Sequence, residues 1–118
     1  VFDDQSRSLF AGDLVFLRHI PVMDGSLRGW IADIDALAAL PADRVVPGHG
    51  PVSPWPLALS DERRYLDTLA GDVRGLIKAG KPIADAARAA LSERGKWELF
   101  DDYNARNATA AFSEMEWE

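Results

Sequence analysis

The stretch SLFAGDLVFL, Ser8 to Leu17, decides the fold of this 118-residue chain. Two short apolar runs, Leu9-Phe10 and Leu14-Val15-Phe16, meet at Gly12-Asp13. The central glycine and the short length speak against a helix. The side chains suit a strand buried on both faces, as in a sheet covered by helices. A loop follows, HIPVMDGSLRG, carrying the turn formers Pro21 and Asp24-Gly25. From Leu27 the apolar positions are Leu27, Trp30, Ile31, Ile34, Leu37 and Leu40, the three-and-four spacing of one helical face. Ser26 or Asp24 caps its start and Pro41 marks its end. A very short strand, Arg44 to Val46, then runs into the turn PGHGP, residues 47–51.

Strand, helix, strand implies parallel pairing and an α/β layered fold. Downstream the reading is helical. Ser53-Pro54 can open a helix, with proline in the first turn. Tyr65, Leu66, Leu69, Val73, Leu76 and Ile77 form a stripe closed by Gly80. Pro82 to Leu91 is alanine-rich and helical, and Asn104 to Trp117 is a last helix with Ala105, Ala108, Phe112 and Met115 on one face. Trp30, Trp55, Trp97 and Trp117 read as core or inter-helix anchors. Two strands make a poor sheet, with open edges and an uncovered apolar face. The opening, VFDDQSRS, reads as a chain entered partway through a β-hairpin, so residues 1–118 are expected to be a single partial domain.

Composition narrows the class. Hydrophobic residues make up 47% and charged residues 27%, which fits a folded globular domain. The net charge of −6, from 19 acidic and 13 basic residues, argues against a non-specific nucleic-acid binder. No cysteine is present, which removes disulfides, thiolate zinc sites and cysteine nucleophiles. No apolar run approaches the ~18 residues of a membrane span, and no signal peptide is visible.

Asp13 and one of the two histidines, His49, share a setting. Each is a metal-capable side chain in a glycine-bearing turn just after an apolar run, where parallel α/β sheets gather their ligand sites. Carboxylate and imidazole both suit zinc, and imidazole also suits iron and nickel. On the residues alone, a turn aspartate and a hydrogen-bonded loop histidine are the commoner readings. Two ligands also fall short of the three or so that catalytic zinc keeps.

In this order, LFAGDLVF, an amphipathic helix and VVPGHGP resemble the C-terminal half of the metallo-β-lactamase superfamily. The resemblance implies half of an αββα sandwich, with few strands and about four helices. It makes Asp13 the bridging carboxylate and His49 the last histidine ligand of a dinuclear metal site, with zinc favoured and iron or manganese as alternatives. HIPVMDGSLRGWIADIDAL and the tail LFDDYNARNATAAFSEMEWE are similar to a bacterial branch of zinc metallohydrolases associated with quinoprotein systems, many of them exported, which favours the periplasm. The family's His-x-His-x-Asp-His motif is not in this sequence and belongs upstream of the GD strand. The parent is therefore expected to hydrolyse a small-molecule substrate, and this chain alone is expected not to be a competent hydrolase. The uncovered sheet implies a homo-oligomer or association with the N-terminal half, with no nucleic-acid or membrane partner. The alternative is a non-catalytic helical interaction module in which the metal-like residues are incidental.

Other candidates are weaker. His19 contacts substrate or supports a ligand, against the plainer reading of a loop histidine. Arg18 and Arg28 either steer an anionic substrate or pair with nearby acids. Ser26, without a base partner, reads as a cap. Asn107-Ala108-Thr109 matches a glycosylation sequon but sits on a helical segment.

Overall fold

The apolar run around Gly12-Asp13 forms β2, Ser8–Phe16, the longest strand of a four-stranded sheet with order β1-β2-β3-β4. The computed structural model describes the backbone of residues 1–118 and every side chain except that of His49. β2 and β3, Arg44–His49, pair in parallel, as the helical crossover between them demands. β1, Phe2–Asp3, pairs antiparallel with β2 through Phe2↔Leu9, which agrees with the hairpin reading of the opening. β4, Ser53–Pro54, pairs antiparallel with β3 through Val45↔Ser53. Ser53-Pro54 therefore does not start a helix. Proline is tolerated there because an edge strand needs no donor on its outer side.

The crossover helix α1, Leu27–Ala38, is capped by Ser26, whose Oγ accepts the amide of Gly29 at 3.0 Å. Its buried stripe is Leu27, Trp30 and Ile34. α2, Leu59–Lys78, buries Leu59, Tyr65, Leu66, Leu69, Ala70 and Val73 at the expected spacing, and it also buries Glu62. The alanine-rich stretch departs from expectation. It forms two 3-10 segments, Ile83–Arg88 and Leu91–Lys96. Ala90 between them adopts a left-handed φ of 60°, and its amide goes to the Asp72 side chain at 2.8 Å. Segments this short gain little from helix propagation, and a six-residue piece settles into the tighter form.

α3 runs Phe100–Met115, starting four residues earlier than the sequence suggests. Its first turn carries Asp101 and Asp102, which complement the positive end of the helix dipole. Its buried side is Phe100, Asn104, Asn107, Ala108, Ala111, Phe112 and Met115, so Ala105 faces out. Trp30, Trp55 and Trp97 are core residues, whereas Trp117 is 84% exposed and anchors nothing in this chain.

The core lies between the helices and the sheet face that carries Leu9, Val15 and Val45. The other face is open: Phe10 is 48% and Leu14 41% exposed. Burial of β2 on both faces, expected from its composition, is thus met on one face only. Among the described residues no helix is long and apolar enough to cross a membrane.

Candidate metal centre

The candidate site lies at the carboxyl ends of β2 and β3, where β2 bulges. Gly12 pairs with Pro47 and the next partners are Phe16 and His49, so β2 spends four residues where β3 spends two. A bulge bends its strand and re-aims a side chain. Here it carries Asp13, which is exposed and borders a cavity of about 580 Å³ together with Met23, Asp24, Trp30, Asp33 and Arg106. Trp30 closes one wall: its indole N–H donates to the Leu14 carbonyl at 3.0 Å, and its ring meets Phe16 edge-on at 5.8 Å between centroids.

β3 approaches this bulge so closely that only glycine fits at position 48. A Cβ there would lie 2.6 Å from the carbonyl carbon and oxygen of Gly12 and 2.7 Å from Oδ1 of Asp13. The Asp13 carboxylate thus rests against the backbone of the residue preceding His49. The imidazole of His49 lies outside the described residues, so its role as a ligand stands as the sequence reading has it. Among the described residues no three His, Asp or Glu side chains converge as a metal site. A carboxylate beside β3 is a suitable donor for zinc, and Asp13 with His49 would supply two donors of the right chemistry.

His19 borders a second cleft, of about 520 Å³, with Leu17, Arg18, Gly48, Gly50 and Glu98. It is half-buried, its ring lying 5.8 Å from Phe16 and 5.6 Å from Tyr103. Its Nδ1 lies 2.6 Å from the carbonyl oxygen of Ile20. A carbonyl only accepts, so Nδ1 is the donor in this bond. Asp13 and His19 therefore serve different hollows, separated by Phe16, which lines the first and touches the ring of the second. Arg28 pairs with Glu114 at 3.4 Å and is structural.

The loop between β2 and α1 walls the first cavity and is held from α3. Asn107 is 1% exposed; its Oδ1 accepts the Met23 amide at 2.9 Å, and its Nδ2 donates to the Pro21 carbonyl at 2.6 Å and to the Tyr65 hydroxyl oxygen at 3.1 Å. Tyr65 in turn donates to Asn104 Oδ1 at 2.8 Å. Asn107 is thus a buried bracket, which removes the sequon reading for the folded chain. Glu114 accepts the amides of Leu27 at 2.8 Å and Arg28 at 3.2 Å, an anion at the amino end of α1.

Glu62 is the residue that the sequence reading missed. It is fully buried, and its Oε1 accepts the amide of Phe16 at 2.8 Å. Burial raises its pKa to about 8 against the opposing pull of the Phe16 amide, so the carboxyl is mostly protonated at neutral pH. The signal was present in the spacing. Glu62 sits three residues after Leu59 and three before Tyr65, on the apolar stripe.

Comparison with known proteins fits this placement. The family model of the metallo-beta-lactamase superfamily matches residues 1–49, the segment from β1 to the end of β3 that contains Asp13 and His49. A match to that superfamily points to hydrolase chemistry and to metal ions as the usual cofactor. No curated protein matches the chain.

Proposed function

We propose that this chain is the C-terminal half of a zinc-dependent hydrolase of the metallo-β-lactamase superfamily, of the quinoprotein-associated branch, acting on a small-molecule substrate in the periplasm. The observation that carries the reading is the packing of the Asp13 carboxylate against Gly48, at the joint carboxyl ends of the two parallel strands. Asp13 would bridge or hold the metals, and His49 would complete the second site. Held there, a metal would supply Lewis acidity to a scissile carbonyl or phosphoryl oxygen and to the attacking water. His19, at the rim of the second cleft, is the candidate to contact substrate. The open sheet face around Phe10 and Leu14 supports burial against further protein, either a second copy or the N-terminal half.

Calorimetric zinc titration of the 118-residue chain tests the division of ligands. Two donors give weak binding that Asp13→Asn weakens further, whereas tight stoichiometric binding to the monomer overturns it. Coding sequence upstream of Val1 separates the hydrolase from a non-catalytic helical module. A His-x-His-x-Asp-His motif there supports the first, and a start codon at Val1 supports the second.

A further inference from the structure

A carboxyl group on the apolar stripe of α2 needs a reason. Leu59, Tyr65, Leu66, Leu69 and Val73 bury hydrocarbon or a satisfied hydroxyl, whereas Glu62 buries a carboxyl whose Oε2 has no hydrogen-bond partner among the described residues. Leaving a buried polar atom unpaired is costly, so the bond made by the other oxygen carries the weight. That bond goes to the amide of Phe16.

Phe16 closes the bulge. Upstream, a first register shift falls between Phe10 and Gly12, and Gly12 adopts a φ of +55° open to glycine at no steric cost. Downstream, it ends where Phe16 comes back into register with His49. Between these two points the ladder is irregular and Asp13 is turned out to the cavity. The upstream end is set by backbone conformation and the downstream end by a side chain from α2.

We propose that Glu62 is a positioning residue: through the Phe16 amide it fixes the closing end of the β2 bulge, and so the direction of the Asp13 carboxylate relative to β3. Its zinc-dependent consequence rests on the metal-site reading above, while its effect on the bulge does not. Glu62 touches neither metal nor substrate, and it acts only through β2.

The test compares Glu62→Gln, Glu62→Leu and Glu62→Met in the 118-residue chain. Glutamine keeps an oxygen for the Phe16 amide; leucine and methionine keep the volume and lose the acceptor. Amide hydrogen exchange is read at Leu14, Val15 and Phe16, and the Asp13 carboxyl carbon is followed by NMR as zinc is added. Glu62→Gln is expected to match the parent in both. The two apolar variants are expected to speed Phe16 exchange at least tenfold, leave α3 protection unchanged, and weaken the zinc response of Asp13 several-fold. Unchanged Phe16 exchange in a folded Leu or Met variant overturns the proposal, as does a Gln variant that behaves like them. If neither apolar variant folds, loss of Phe16 protection in the Gln variant still overturns it and retained protection supports it. A parent chain whose Asp13 ignores zinc refutes the metal reading instead, and the exchange data still decide the role of Glu62.

Discussion

Asp13 and Gly48 are in contact across the two parallel strands, with Oδ1 of Asp13 only 2.7 Å from where a Cβ on residue 48 would begin. Closer still is the backbone of Gly12, at 2.6 Å, which cannot swing away as a flexible side chain could. Gly48→Ala is therefore expected to push β2 and β3 apart and to destabilise the fold by about 1–3 kcal/mol. Gly71→Ala and Gly75→Ala are the controls. Both lie inside α2 with nothing within 4 Å of the added methyl, and each is expected to stabilise by up to ~1 kcal/mol. Urea melts of the three variants check the ordering, and equal effects at positions 48 and 71 contradict it.

Glu62 gives the stability a slope with pH. In the unfolded chain its carboxyl ionises near the ordinary 4.5, and in the folded chain it holds its proton to about 8. Between those values the native state binds more protons, so this contribution is full below pH 4.5 and is lost as pH rises towards 8. At pH 7 the loss is roughly 3 kcal/mol for a shift of this size. Glu62→Gln keeps the bond to Phe16 and has no proton to lose. It is expected to be the more stable protein at pH 8 and to differ little at pH 4.5. Urea melts across that range check it; a gap that stays constant with pH removes the buried carboxyl as its source.

Asn107 tests how the cavity wall is held. Replacing it by alanine strands the Met23 amide, the Pro21 carbonyl and one bond of the Tyr65 hydroxyl in a buried place. Unmade buried bonds cost about 1–3 kcal/mol each before relaxation, so a loss of about 3 kcal/mol is expected. Asn107→Asp keeps the acceptor for Met23 and loses the donors, and it should fall below the parent as well. Tyr65→Phe, which frees only the Asn104 and Asn107 partners, should cost about 1–2 kcal/mol. Thermal melts rank the three, and a Tyr65→Phe loss larger than that of Asn107→Ala contradicts the bracket.

The legible parts of this molecule were those with a period. The three-and-four spacing marked α1 and α2, and the strand-helix-strand order marked the parallel pair. Gly12-Asp13 and Gly48-His49 marked the carboxyl ends of β2 and β3, where the candidate site lies. What escaped has no period. β4 is two residues long and contains a proline, so only its pairing with Val45 reveals it. The break at Ala90 depends on a side chain eighteen residues away, Asp72. Glu62 and Asn107 were visible as polar residues on apolar stripes, but the amides they serve, on Phe16 and Met23, lie far off in sequence. Sequence shows that such a residue is out of place and only the fold shows its partner.

Glu93 is the counterpart to Glu62, a buried carboxyl with every need met. Burial alone would raise its pKa, but Arg64 at 3.1 Å, Lys96 at 3.0 Å and Trp97 at 3.2 Å all donate to it, and together they hold it below the ordinary 4.5. A depressed folded pKa reverses the sign found for Glu62: the contribution is present above pH 4.5 and lost as pH falls through the folded value. Arg64→Ala removes the guanidinium that bonds both oxygens and leaves Lys96 and Trp97 in place. With two donors remaining and Arg64 itself 40% exposed, a loss of about 2 kcal/mol at pH 7 is expected. Arg64→Lys should recover part of it, since an ammonium bonds as a point and not as a fork. Arg64→Ala should also lose less stability than the parent as pH falls below 4.5, because its Glu93 pKa lies nearer the unfolded value. Parallel acid limbs for parent and Arg64→Ala would show that Glu93 is not the group titrating there.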